Sequence, residues 1–298
     1  LALGKDWSLE VRAGVKFDDR VTVEEDDVSA ASDVGFVFGL DAGYKLVNEE
    51  DTRIEIAYEF DQTLYSDLSA LDYQVHTPSI SAWTKSLGGV KLGIKYEFVH
   101  ALLGGDDYLD QHIVSPSVTA MLSDDVQLTL MYRYYDKNYN PLDDERDGDT
   151  HQPTADLHYF FDKSKKGYLM VGGGYTDENT KGTTAPVTDP YDYSGFLGRA
   201  AVQVPIEPFG LPGRLRLSYN YQVRDYDDPT STFPAVLPPP AGTPTRKDNR
   251  QTVRAYADVE LDDGLSLYAD YRFMDRGSNL PSADYNKNVV SVGLEYRF

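Results

Sequence analysis

Asp156 and His158 stand two residues apart, the spacing that turns both side chains to one face of an extended chain and lets a carboxylate orient an imidazole as a general base. The remaining histidines, His76, His100, His112 and His151, are spread over residues 76–151, before this pair. Acid gathers in two short stretches. Residues 18–33 hold Asp18, Asp19, Glu24, Glu25, Asp26, Asp27 and Asp33 against Arg20 alone, and residues 143–149 read Asp-Asp-Glu-Arg-Asp-Gly-Asp. Clustered carboxylates suit Ca²⁺ or Mg²⁺, and Asp144, Asp147 and Asp149 are the weak candidates for such a role. They lack the spacing and terminal Glu of a calcium loop, so solvated loops are the expected reading, with no cofactor.

Most of the ionised residues instead recur at every second position. Arg214, Arg216, Ser218, Asn220, Gln222 and Arg224 interleave with Leu215, Leu217, Tyr219, Tyr221 and Val223; Arg254, Tyr256, Asp258 and Glu260 interleave with Val253, Ala255, Ala257, Val259 and Leu261. Period two is the signature of a strand whose faces meet different surroundings, whereas a helix would need spacings of three and four. About 14 such runs are read, at 6–17, 33–46, 52–62, 73–84, 90–101, 111–122, 126–137, 151–161, 167–177, 192–206, 214–226, 249–261, 265–275 and 285–298. Short turns at 48–51, 86–89, 123–125, 163–166, 208–213 and 262–264 alternate with longer polar loops around 18–32, 62–72, 102–110, 138–150, 178–191, 227–248 and 276–284. Pro78, Pro116 and Pro153 sit in similar stretches early in their runs, which predicts a bulge or strand end near the outer rim, because proline cannot donate to a ladder.

The composition narrows the class. Mean hydropathy is −0.47, and no stretch approaches the ~18 apolar residues of a spanning helix. A barrel strand needs only ~9–11 residues and turns every second one to lipid, so a polar average is no obstacle. Tyr, at 23 residues, outnumbers Phe (12) and Trp (2) together, as suits rings whose hydroxyls sit at a membrane–water interface. Cys is absent, which excludes disulfides and thiolate metal sites. A net charge of −21 argues against nucleic acid as a partner. No signal peptide stands at Leu1–Gly4, so the sequence reads as a mature chain or an excised domain, and 1–298 as one barrel domain without linker.

A soluble sandwich also alternates. The decisive difference is the wealth of Arg, Lys, Asp and Glu on one face together with Tyr and Phe at the ends of the apolar stripes, which is the pattern of membrane girdles. The expected fold is therefore all-β, a transmembrane antiparallel up-and-down barrel with short periplasmic turns, long extracellular loops and both termini periplasmic. The ending Gly293-Leu294-Glu295-Tyr296-Arg297-Phe298 resembles the closing strand of bacterial outer-membrane barrels, with Tyr296 and Phe298 as the assembly signal. In size and strand number the chain resembles monomeric 14-stranded porins similar to outer-membrane protein G. The stretches Asp72–His76, Leu103–Tyr108 and Arg246–Asp248 also resemble barrel domains of exporters of surface lipoproteins or exopolysaccharides. Those exporters carry tetratricopeptide repeats before the barrel; none occurs in this sequence.

Fourteen strands ~4.8 Å apart and tilted ~40° close at a diameter near ~28 Å, too wide for side chains to fill. The inward face, with about 14 basic and 11 acidic residues, should then line water. Arg12, Asp41, Glu55, Lys95, Glu97, Arg133, Arg199, Arg254, Asp270 and Arg272 are the candidates for a constriction, with bracing of the wall as the alternative for each. Asp156 and His158 precede a short turn, so they should lie low in the barrel, away from surface substrates, in a hydrogen bond rather than in catalysis. The expectation is a channel for small hydrophilic solutes; an exporter barrel and a plugged structural or partner-binding barrel are the alternatives. The expected partners are outer-membrane lipid and lipopolysaccharide, the barrel assembly machinery, and a possible periplasmic or plug partner for a monomer. The loop at 227–248, with Pro234, Pro238, Pro239, Pro240 and Pro244, is the expected cover for the mouth, so its deletion should raise conductance or suppress closures.

Overall fold

Alternation over a dozen residues leaves each strand with one apolar and one polar face, and neither can be satisfied until neighbouring backbones pair. The computed structural model, which describes residues 6–22, 31–85, 88–140, 146–182, 191–229 and 244–298, satisfies both by closing the sheet on itself. The strands are β1 (Trp7–Asp18), β2 (Asp33–Asn48), β3 (Thr52–Tyr65), β4 (Tyr73–Lys85), β5 (Lys91–Leu103), β6 (Asp106–Met121), β7 (Val126–Tyr139), β8 (Gly148–Phe160), β9 (Tyr168–Thr180), β10 (Tyr193–Ile206), β11 (Gly213–Pro229), β12 (Thr245–Asp262), β13 (Leu265–Ser278) and β14 (Tyr285–Arg297). Each pairs antiparallel with the next, and β14 returns to pair with β1, from Glu10 opposite Arg297 to Asp18 opposite Val289. The amide of Phe298 donates to Leu9 O at 3.0 Å and finishes the seam.

The two faces are inverted relative to a water-soluble domain. Phe36, Ile94, Val171 and Phe196 are more than half exposed on the outside, whereas Arg246, Asp248 and Arg276 are each 2% exposed within. Leaving such apolar area in water would forgo ~25 cal/mol per Å², so the outer surface is matched to a hydrocarbon solvent.

At the short-turn end the observed strand limits follow the alternating runs closely. At the other end they run on: the run at 52–62 extends to Tyr65, that at 249–261 begins at Thr245, and that at 265–275 reaches Ser278. Above the apolar band the outward positions become Gln62, Asp149, Asn249 and Asp275. Both faces are polar there, so periodicity fades while backbone pairing continues.

The expected loop at 102–110 is not a loop. β5 turns into β6 at Gly104–Gly105, whose φ values of +60° and +94° only glycine adopts freely, and residues 106–110 belong to β6. Nor do the three prolines mark bulges or strand ends. Each lies inside its strand and keeps register with one neighbour, Tyr58 with Pro78, Ile94 with Pro116 and Tyr132 with Pro153. On the other side, pairing lapses for two residues and resumes without a shift. A proline needs only one unmade ladder bond, and local loosening of the pair supplies it. The segment expected to cover the mouth lies for the most part, at 230–243, outside the described residues.

Candidate functional site: the lumen wall

Strand alternation turns Arg12, Asp41, Glu55, Lys95, Glu97, Arg133, Arg199, Arg254, Asp270 and Arg272 to the enclosed face. Their geometry divides them. Arg12 donates to Asp41 (3.4 Å) and Asp61 (3.2 Å) across β1–β3, and Lys95 pairs with Glu97 along β5 at 2.7 Å. Arg199 makes two bonds to Asp156, Nε to Oδ1 at 2.6 Å and Nη2 to Oδ2 at 2.5 Å, and Arg254 Nε donates to Asp270 Oδ1 at 2.7 Å. The Arg12, Arg199 and Arg254 contacts join different strands, the geometry of wall bracing, whereas Lys95–Glu97 lies within one strand. Glu55 stands opposite Lys45, and Arg133 reaches Gln152 at 3.5 Å. Arg272 stands directly opposite Arg254 in the β12–β13 ladder, a like-charge pair.

Asp156 and His158 do share the inner face, but no hydrogen bond joins them. Arg199 takes both oxygens of Asp156, and His158 Nδ1 has no hydrogen-bond partner, its ring lying against Phe160 and Tyr168. The expected hydrogen bond is thus replaced by a guanidinium fork, which holds a carboxylate bidentately where an imidazole cannot.

Towards the long-loop end the wall carries buried ions, each fully partnered. Asp248 accepts from Arg246 Nη2 (2.9 Å), Arg276 Nη2 (2.5 Å), Ser278 Oγ (2.6 Å) and Tyr226 Oη (3.3 Å). Asp18 accepts from Lys287 Nζ (3.0 Å) and Tyr65 Oη (3.1 Å). A buried carboxylate left with fewer donors would be costly, so these clusters hold the upper rim in one arrangement.

The weak metal candidates do other work. Asp144 lies outside the described residues, as do Glu24–Asp27. Asp147 accepts from Tyr139 N at 2.6 Å and from Lys181 Nζ at 2.9 Å, and Asp149 pairs with His151 Nε2 at 2.9 Å. Among the described residues no three His, Asp or Glu side chains converge as a metal ion would require.

Asp147 belongs to a pattern that sequence reading missed. Asp72 accepts from Tyr65 N at 2.7 Å and Asp192 from Thr180 N at 2.5 Å, so three outer hairpins are clasped by an aspartate just before the returning strand. In two of them the next residue is a tyrosine, Tyr73 or Tyr193, and Tyr193 is buried. The Asp-Tyr dipeptide was the available signal; of the three, only Asp147 was among the acids expected in solvated loops.

A second pattern faces outward. Tyr58, Tyr96 and Tyr132 hydrogen-bond through their hydroxyls to Nδ1 of His76, His112 and His151 at 2.6, 2.8 and 2.5 Å. Each histidine also lies against a second ring, Phe60, Phe98 or Tyr134, at 5.0–5.3 Å between centroids. The phenol is thereby satisfied at the edge of the apolar band, where an unpaired hydroxyl would be penalised. At the short-turn end, Tyr296 and Phe298 meet edge-on at 4.7 Å on the outer face.

A closed, even-stranded antiparallel cylinder, apolar outside and ionised within, defines an outer-membrane β-barrel. The chain belongs to the outer membrane protein beta-barrel domain family, whose model matches residues 80–298, and its location is the bacterial outer membrane. Among solved structures it is similar to an anion-selective porin from Comamonas acidovorans, with a TM-score of 0.54 at 12% identity over 98% of each chain. It is also similar to a bacterial polysaccharide outer membrane secretin, with a TM-score of 0.53 at 9% identity, covering 97% of this chain and 98% of that one. At such identities the likeness is one of fold. No curated protein sequence matches.

Proposed function

We propose that the barrel is a passive channel for small hydrophilic solutes through a water-filled lumen. The observation that carries this reading is the wall itself. Ionised side chains from β1, β8 and β10–β14 line a cavity of about 850 Å³ inside the barrel, and charged groups in that number need water or solute among them. No catalytic role is assigned, because Asp156 is held by Arg199 and His158 has no carboxylate to orient it. Lipopolysaccharide and lipid are the partners of the apolar band, the assembly machinery that of the β14 edge through Tyr296 and Phe298, and a monomer is the working state. The test is planar-bilayer recording of the purified chain. Stable open steps are expected; silence under conditions where the barrel is folded would replace the channel with a plugged or scaffold barrel.

A further inference from the structure

The carboxylates around the main cavity do not reach all of its arginines. Glu10 and Glu295 both pair with Arg297, Asp156 with Arg199, and Asp270 with Arg254. Among the described residues Arg216 and Arg272 make no ion pair, although both line this cavity. Arg272 stands directly across the ladder from Arg254, and the carboxylate beside this like-charged pair, Asp270, is hydrogen-bonded to Arg254. A second cavity of about 290 Å³ shares Arg250, Arg272 and Met274 with the first and continues to Lys16 and to Lys287 with its partner Asp18, towards the long-loop end. Positive side chains thus follow one another along a single side of the lumen, from the outer mouth to mid-barrel. The opposite wall, at β2, β3 and β5, is mixed, with Asp41, Glu59, Asp61 and Glu97 alongside Lys45, Arg53, Lys91 and Lys95.

Resting on the channel reading, we propose that Arg216, Arg254 and Arg272 form a binding site for a multiply charged anion that travels the basic side of the lumen. The three guanidinium groups come from adjacent strands, β11, β12 and β13, whose backbones lie ~4.8 Å apart. A single halide can sit beside only one or two of them, whereas a solute with two or more phosphoryl or carboxylate groups spans the row with bidentate contacts. The solute class is therefore small polyanions, recognised by the two unpaired arginines, Arg216 and Arg272, on either side of Arg254, which Asp270 holds in place.

The experiment is current block in planar bilayers with inorganic pyrophosphate and citrate as separate probes. Both are added to the long-loop side in potassium chloride. Wild type is expected to show concentration-dependent block by at least one probe, and R216Q/R272Q to raise the half-blocking concentration tenfold or more. R216K/R272K, which keeps the charge but removes the fork, should fall between. Block by pyrophosphate alone assigns phosphoryl recognition, and block by citrate alone assigns carboxylate recognition. An open channel that neither probe blocks, or block identical in wild type and R216Q/R272Q, overturns the proposal and leaves the channel reading standing. If the folded protein conducts nothing, the channel reading falls, and calorimetric titration of the detergent-solubilised barrel with both probes decides the site. Heat release lost in R216Q/R272Q supports the site, and no release in wild type ends it. Retention of the heat-modifiable gel mobility of a folded barrel is required of each variant.

Discussion

Gly14 lies directly opposite Gly293 across the seam that joins the first strand to the last, and the hydroxyl of Tyr268 rests over both. A Cβ at position 14 would stand 2.5 Å from Val292 O and 2.6 Å from that hydroxyl; one at 293 would stand 2.3 Å from Ala13 O. The phenol can swing away, but the backbone cannot. G14A and G293A are each expected to destabilise the barrel by about 1–3 kcal/mol, and adding Y268A should not restore them. Urea unfolding in detergent micelles, followed by fluorescence, reads the difference; wild-type stability for G14A would contradict the packing argument.

The Arg199–Asp156 fork joins β8 to β10 across β9, where Gly172 provides the clearance: a Cβ there would meet Asp156 Oδ1 at 1.9 Å. Removing one partner leaves a poorly solvated charge, so R199A is expected to cost about 1–3 kcal/mol. R199A/D156A should cost less than the sum of the single changes. A double-mutant cycle with coupling near zero would show that the pair does not brace the wall.

Asp192 accepts two bonds from Thr180, from N at 2.5 Å and from Oγ1 at 2.6 Å. D192A is expected to loosen the outer end of the β9–β10 hairpin at a cost of about 1–2 kcal/mol, with amide exchange accelerated at Thr180 and its neighbours but not near the 163–166 turn. Uniform exchange along both strands would mean that the clasp does not act locally.

Each Tyr–His contact on the outer face satisfies one phenol, and Tyr58, Tyr96 and Tyr132 are on alternate strands. Y58F, Y96F and Y132F should each lower stability by about 0.5–1.5 kcal/mol, and the triple variant by nearly the sum. Thermal unfolding in detergent checks this. A triple variant no weaker than one single variant would show that the three contacts do not contribute independently.

Much of this protein was written along the chain. Period-two alternation over Arg214–Arg224 and Val253–Leu261 set the strand class, the inward face and the even count, because a strand's side-chain direction is a local property of its backbone. All ten constriction candidates accordingly lie on the inner wall. What the chain could not state was which charge meets which. Arg199 reaches across β9 to claim Asp156, the expected partner of His158, and Arg272 is left facing Arg254, because cross-strand partners depend on register and on reach across a third strand. The upper strand limits escaped for a related reason: above the membrane both faces are wet, so hydrophobicity stops reporting the face while hydrogen bonds still hold the sheet. Closure itself, β14 upon β1 with Gly14 against Gly293, belongs to the tertiary structure, since residues 279 positions apart meet only when all fourteen strands have added their twist and tilt.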